Sequence, residues 1–233
     1  TQNEGMFVKA VEHKKFMEHF LATINFLKDK DEENKIPVLL KALPKEFDEN
    51  EIIIKLRHHY SEPKQWGDKT VCIFALNSLS DWSPKSVDSG IGGSEEAVIY
   101  LSKELAALGW DVTVFNNCGE QAGVYDGVTY RHILNFNPKD YYNILISWRS
   151  NIFENNVQAK KRIVWLHDMP NIKLEDDCIK KVDQFVLLSK YHASLLPSNV
   201  PVDKVLISTN GINASDFVGL EDIKKEPHRI IYA

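Results

Sequence analysis

Asp88-Ser89-Gly90-Ile91-Gly92-Gly93-Ser94-Glu95-Glu96 runs directly into Ala97-Val98-Ile99-Tyr100-Leu101-Ser102-Lys103-Glu104-Leu105, downstream of the β-branched run Thr70-Val71-Cys72-Ile73-Phe74-Ala75. Strand, glycine turn and amphipathic helix in that order are how α/β proteins present unpaired backbone N–H groups to a phosphate. The stretch predicts a phosphorylated or nucleotide-linked ligand. The helix is expected over 94–108, closed by Gly109 as a C-terminal cap. Ala97, Leu101, Leu105 and Leu108 form one apolar stripe on it, suited to packing on a sheet.

From Thr70 onward, short apolar runs alternate with helical patterns. Strands are predicted over 70–77, 111–116, 127–133, 142–148, 161–167, 183–189 and 203–209. Helices are predicted over 94–108, 154–159, 173–181 and 190–196. Asn143-Ile144-Leu145-Ile146 and Arg162-Ile163-Val164-Trp165-Leu166 are apolar on successive residues, as strands of a parallel sheet buried on both faces are. The expected fold class is α/β: a Rossmann-like, doubly wound parallel sheet with ligands at the carboxyl ends of its strands.

Residues 6–60 read differently. Phe7, Val8, Val11, Phe16, Phe20, Ile24 and Leu27 fall roughly on one helical face. Pro37 can start a second helix, Val38 to Leu43, which Pro44 ends. Asp48 and Glu51 resemble a capping box for a third, Glu49 to His59. The adjacent His58 and His59 point in two directions on such a helix and receive no site role. Ser61-Glu62-Pro63-Lys64-Gln65-Trp66-Gly67-Asp68 is the expected linker.

The bulk numbers narrow the function classes. The chain has 233 residues, 43% hydrophobic and 26% charged, which is ordinary for a globular protein of one large or two smaller domains. A net charge of −5 supplies no field to attract nucleic acid. Cys72, Cys118 and Cys178 are widely spaced, without a CxxC pair, and read as reduced thiols in a reducing, cytoplasmic compartment. No apolar run reaches the ~20 residues of a membrane helix, and no signal-peptide core opens the chain. The absence of an initiator Met, and the strand-like ending Arg229-Ile230-Ile231-Tyr232-Ala233, predict a piece of something longer.

The glycine turn has rivals. Gly90 and Gly92 fit a dinucleotide fingerprint, but Glu95 occupies the third position, where a carboxylate blocks close helix–strand packing. The second strand, Val112-Thr113-Val114-Phe115, ends on Asn116-Asn117 without the acid that holds a ribose, so NAD binding is disfavoured. No Gly-Lys-Ser/Thr follows, which excludes a P-loop. A purely structural turn, with Glu95 and Glu96 complementing the helix dipole, stays open. For a phosphate ligand, those acids have to point elsewhere.

Gly92-Gly93-Ser94-Glu95 with its helix resembles the N-terminal glycine loop of the GT-B glycosyltransferases, especially the large retaining group known as family 4. Three further pieces follow in that family's order. They are Val164-Trp165-Leu166-His167-Asp168-Met169-Pro170, then Phe185-Val186-Leu187-Leu188-Ser189-Lys190-Tyr191-His192, then the hinge-like Ile207-Ser208-Thr209-Asn210-Gly211-Ile212-Asn213-Ala214-Ser215-Asp216-Phe217. The resemblance covers Thr70 to Ala233. It implies two Rossmann-like domains facing across a cleft, the first mainly holding the acceptor and the second the nucleotide sugar. On that basis 1–67 is a helical segment and linker, and 68–220 the acceptor-side domain. Residues 221–233 are then a hinge and the first strand of a missing donor domain.

The resemblance also implies roles. Gly92, Gly93 and the amide of Ser94 approach the donor diphosphate, glycine being needed so that no Cβ holds the backbone away from the oxygens. His167, at a strand's carboxyl end, contacts the transferred sugar or the reaction centre, or simply caps the strand. Asp168 orients His167 or an acceptor hydroxyl, or starts the turn Asp168-Met169-Pro170-Asn171. Trp148 and Arg149 would bind acceptor, Trp stacking on a sugar face and Arg holding an anionic group; core packing and a surface ion pair are the alternatives. Asn210 and Gly211 shape the hinge, while Lys190 and His192 start a helix, with lining the cleft as the alternative. The family's chemistry uses the leaving phosphate itself to deprotonate the incoming hydroxyl. It needs no cofactor beyond the nucleotide-sugar co-substrate, and no metal is expected. The competing function is a non-catalytic α/β module that binds a sugar or nucleotide, or scaffolds a partner through residues 6–60.

Overall fold

A computed structural model describes residues 2–48, 50–76, 78, 80–168, 174–211, 218, 219 and 228, with side chains from residue 11 onward. Among these, β1 (Thr70–Ala75), β2 (Asp111–Asn116), β3 (Gly123–Tyr125), β4 (Val128–His132), β5 (Tyr141–Trp148), β6 (Gln158–Trp165), β7 (Gln184–Leu187) and β8 (Val205–Ile207) form one sheet. The strand order is β3-β4-β2-β1-β5-β6-β7-β8. Neighbours pair parallel except β3, which turns back on β4 as an antiparallel edge.

Alternate side chains of the central strands serve two cores. Cys72, Phe74, Tyr142, Leu145, Val164 and Phe185 face one. Val71, Ile73, Ile146, Trp148 and Trp165 face the other. This division is why β5 and β6 read as near-continuous apolar runs. Helix α4 (Gly93–Ala107) covers the second face. Helices α5 (Asp176–Lys181) and α6 (Lys190–Ser194) lie on the first, through Ile179 and Ala193. The fold is a Rossmann-like α/β sheet wound on both faces. Each fully buried Leu or Ile in it contributes about 1.5–3 kcal/mol.

Several elements differ from the sequence expectation. The short edge strand β3 was not foreseen. Residues 154–159 are not a helix: a 3-10 turn spans Ile152–Asn155, and β6 begins at Gln158 because it pairs with Tyr141 and Tyr142 at the start of β5. The buried line of α4 is Val98, Ile99 and Ser102, with Ala97, Leu101 and Leu105 flanking it. Leu108, expected in the stripe, is the exposed C-cap, followed by Gly109 at φ +83°.

The helical segment comprises α1 (Gln2–Asp29), α2 (Ile36–Lys41) and α3 (Glu51–Tyr60). Phe20, Ile24 and Leu27 pack on Ile36, Leu40, Phe47 and Ile53, while Val11 and Phe16 remain exposed. The cap of α3 is Asn50, not Asp48: its side chain accepts from the amides of Ile52 and Ile53 at 3.0 and 3.3 Å. Asp48 instead pairs with Arg57 at 2.8 Å.

The expected linker is stitched to the sheet. Trp66 N donates to Tyr141 O, and Tyr141 N to Lys64 O, both at 2.9 Å. Among the described residues, no helix is long and apolar enough to cross a membrane. The expected strand at 229–233 and most of the expected hinge, 212–217, lie outside the described residues.

Candidate functional site at the reversal of strand order

Strand order reverses between β1 and β5, and open α/β sheets bind ligands outside the carboxyl ends of the strands at such a point. The glycine turn before α4 and the residue after β5 meet there. Arg149 Nη1 lies 3.6 Å from Glu95 Oε1.

Helix α4 starts with Gly92 as its N-cap, which has no side chain to satisfy the first helical N–H groups. Glu95, at the third helical position, folds back over Gly92 without a side-chain bond to the cap amide. Its Oε2 accepts from Ser94 Oγ at 2.8 Å. A Cβ on Gly92 would fall inside contact distance of Glu95 Oε2 and 3.3 Å from its Cδ. Glycine at 92 therefore makes room for the chain's own carboxylate, and the expectation that the acids point away fails at Glu95. A Cβ on Gly93 would meet nothing within 4 Å.

Arg149 follows β5 with φ +57°. Such a left-handed conformation costs a non-glycine residue on the order of 1–3 kcal/mol and clusters at functional sites. Its amide donates to Trp165 O at 2.8 Å. Its guanidinium lies 4.9 Å from the centre of the Trp148 ring, and its Nε donates to Asp168 Oδ2. Arg149 thus ties the glycine turn to the end of β6. Asp168 serves Arg149 as an ion-pair partner; the expected link to His167 is not formed among the described residues.

His167 is half-buried between Trp165, at 4.5 Å between ring centres, and Trp148, at 6.0 Å. Burial pushes its pKa down to about 4, opposed by Asp168 and reinforced by Arg149 and His192. Near neutral pH the imidazole is therefore uncharged. Its Nε2 is buried without a partner among the described residues. Trp148 is fully buried and offers no ring face to a sugar, so its expected stacking role is corrected to core packing.

Three residues contribute contacts that the sequence did not show, and Trp82 was not singled out at all. Trp82, in the connection from β1 to α4, is buried with its ring 6.3 Å from that of Trp148. Glu95, expected to block a dinucleotide fingerprint and to complement the helix dipole, also lies in the turn and faces Arg149. His192 is buried at the start of α6, as expected, and its contact with the site is through the backbone of Asp168. Its Nδ1 accepts from Leu188 N at 3.4 Å, which assigns the proton to Nε2, and Nε2 donates to Asp168 O at 2.7 Å. The rest of the turn that Asp168 was expected to begin, 169–171, lies outside the described residues.

Asn210 and Gly211 do not join this cluster. They border a groove of about 580 Å³ whose apolar floor is Ile146, Ile163, Trp165 and Val186, walled by Leu101 of α4. Trp165 lies between the groove and His167. Among the described residues, no three His, Cys, Asp or Glu side chains gather as a metal site.

What the geometry assembles is an N-terminal helix turn with a serine hydroxyl, one arginine, two carboxylates and a neutral imidazole. Compared with protein-family models, with curated proteins and with solved structures, the chain matches none.

Proposed function

We propose that this chain is the acceptor-side domain of a nucleotide-sugar-dependent glycosyltransferase that acts with retention. The observation carrying the reading is the meeting of the Gly92-Gly93-Ser94 turn with Arg149, Asp168 and His167 at the reversal of strand order. The turn's amides and the Arg149 guanidinium suit a diphosphate, whose charge grows as it leaves. Neutral His167 suits a sugar hydroxyl as hydrogen-bond acceptor. A pKa near 4 makes it a weak base, in keeping with a leaving phosphate oxygen taking the acceptor proton. In that step the bond from sugar C1 to the diphosphate breaks, the acceptor oxygen bonds C1 on the same face, and the proton ends on the diphosphate. The donor nucleotide is held mainly by a second domain of the same protein. Cys72 and Cys118 are buried thiols, which suits a reducing, cytoplasmic setting.

A second reading, a non-catalytic α/β binding module, draws on the Glu95 carboxylate already lying in the turn. Offering UDP-, GDP- and ADP-linked sugars to the full protein with candidate glycan acceptors separates the two. Release of nucleoside diphosphate from one donor supports the enzyme. Binding of a sugar or nucleotide without release supports the module.

A further inference from the structure

We propose that the Glu95 carboxylate is an internal occupant of the glycine turn, which an incoming diphosphate must displace. The inference rests on the glycosyltransferase reading of that turn and concerns its regulation.

Two groups suited to an anion converge on this one carboxylate, which folds over Gly92 at the start of α4. The Ser94 hydroxyl donates to Oε2, and Arg149 Nη1 faces Oε1. Its side chain is only 12% exposed, against 58% for Asp168, the other carboxylate on Arg149. The two acids therefore do different work. Asp168 takes Nε and fixes where the guanidinium sits. Glu95 faces Nη1, on the guanidinium edge that a phosphate would take in its place. Glu95 and a diphosphate need the same Ser94 hydroxyl and the same edge of Arg149, and two anions cannot share them without strong repulsion. When Glu95 swings out, the turn gains a vacant helix N-terminus and a pre-positioned arginine together. Glycine at 92 is what lets the carboxylate fold in.

The test is the affinity of the 233-residue chain for inorganic pyrophosphate, followed by the amide resonances of Gly92, Gly93 and Ser94. Glu95→Gln keeps the size of the residue and an oxygen for the Ser94 hydroxyl, and removes its charge. Glu96→Gln removes the same charge from the same helix end at the neighbouring position. The proposal expects Glu95→Gln to bind about tenfold more tightly than wild type, and Glu96→Gln to stay within about twofold. Equal affinity of Glu95→Gln and wild type, with the turn amides shifting in both, would overturn the latch and leave the anion-binding turn standing. An equal gain in both variants would also overturn it, as a general field effect. No shift at the turn amides in any of the three proteins would overturn the anion-binding reading itself, and the latch with it.

Discussion

His192 Nε2 donates to the backbone oxygen of Asp168 at 2.7 Å, so a side chain at the start of α6 fixes the residue that holds Arg149. The same ring accepts from Leu188 N, and Ser189 Oγ caps the turn by accepting from His192 N at 3.0 Å. Replacing His192 with Phe would leave a buried amide and a carbonyl without partners, at a cost of about 1–3 kcal/mol. The urea midpoint should fall accordingly, and donor turnover should fall with it. His192→Gln, which restores a donor, should recover part of both. Unchanged turnover in a destabilised His192→Phe would confine the residue to a structural role.

The imidazole of His167 carries a pH prediction. Its pKa is about 4 in the folded chain against an ordinary 6.5. Above the ordinary value neither state holds the proton, and the residue adds no pH dependence. Between 6.5 and about 4 the unfolded chain binds a proton that the folded chain does not, so stability falls as pH falls. Below that window both states are protonated and the loss stops growing. Urea midpoints at about pH 7 and about pH 5 should drop more for wild type than for His167→Asn. Parallel drops would show that His167 titrates normally.

Asp140 holds the helical segment's exit to the sheet. Its carboxylate accepts from Trp66 Nε1 and from Lys64 N, each at 3.0 Å. Asp140→Ala strands two donors and should cost about 2–3 kcal/mol. Trp66, buried and stacked 5.4 Å from Tyr142, should red-shift its fluorescence if the segment lifts away. Asp140→Asn keeps one acceptor and should lose about half as much.

The sheet was legible where burial on both faces leaves an unbroken apolar run, as in β5 and the second half of β6. It was illegible where pairing overrides local preference. Gln158-Ala159-Lys160-Lys161 is rich in helix formers, yet it is strand because Tyr141 and Tyr142 offer it a ladder. Arg149, His167 and Asp168 could be picked out because they stand at strand ends. The bond from His192 to Asp168 could not, since it spans 24 residues that no local pattern connects. Gly92 was picked out for the approach of a ligand, and the structure gives it a local reason as well. Its missing Cβ leaves space for Glu95, a contact that exists only once the helix has formed.

Gly93 carries the central claim most directly, because a Cβ there meets nothing within 4 Å in the protein itself. Its glycine is needed only if a ligand comes close. The decisive measurement is nucleoside diphosphate release by the full protein, wild type beside Gly93→Ala, with thermal midpoints recorded for both. Alanine at the start of α4 should leave stability unchanged or raise it by up to about 1 kcal/mol. The account predicts that donor turnover nevertheless falls about a hundredfold, as when the groups facing a leaving oxyanion are displaced. Undiminished turnover in a folded Gly93→Ala would contradict the placement of the diphosphate at this turn.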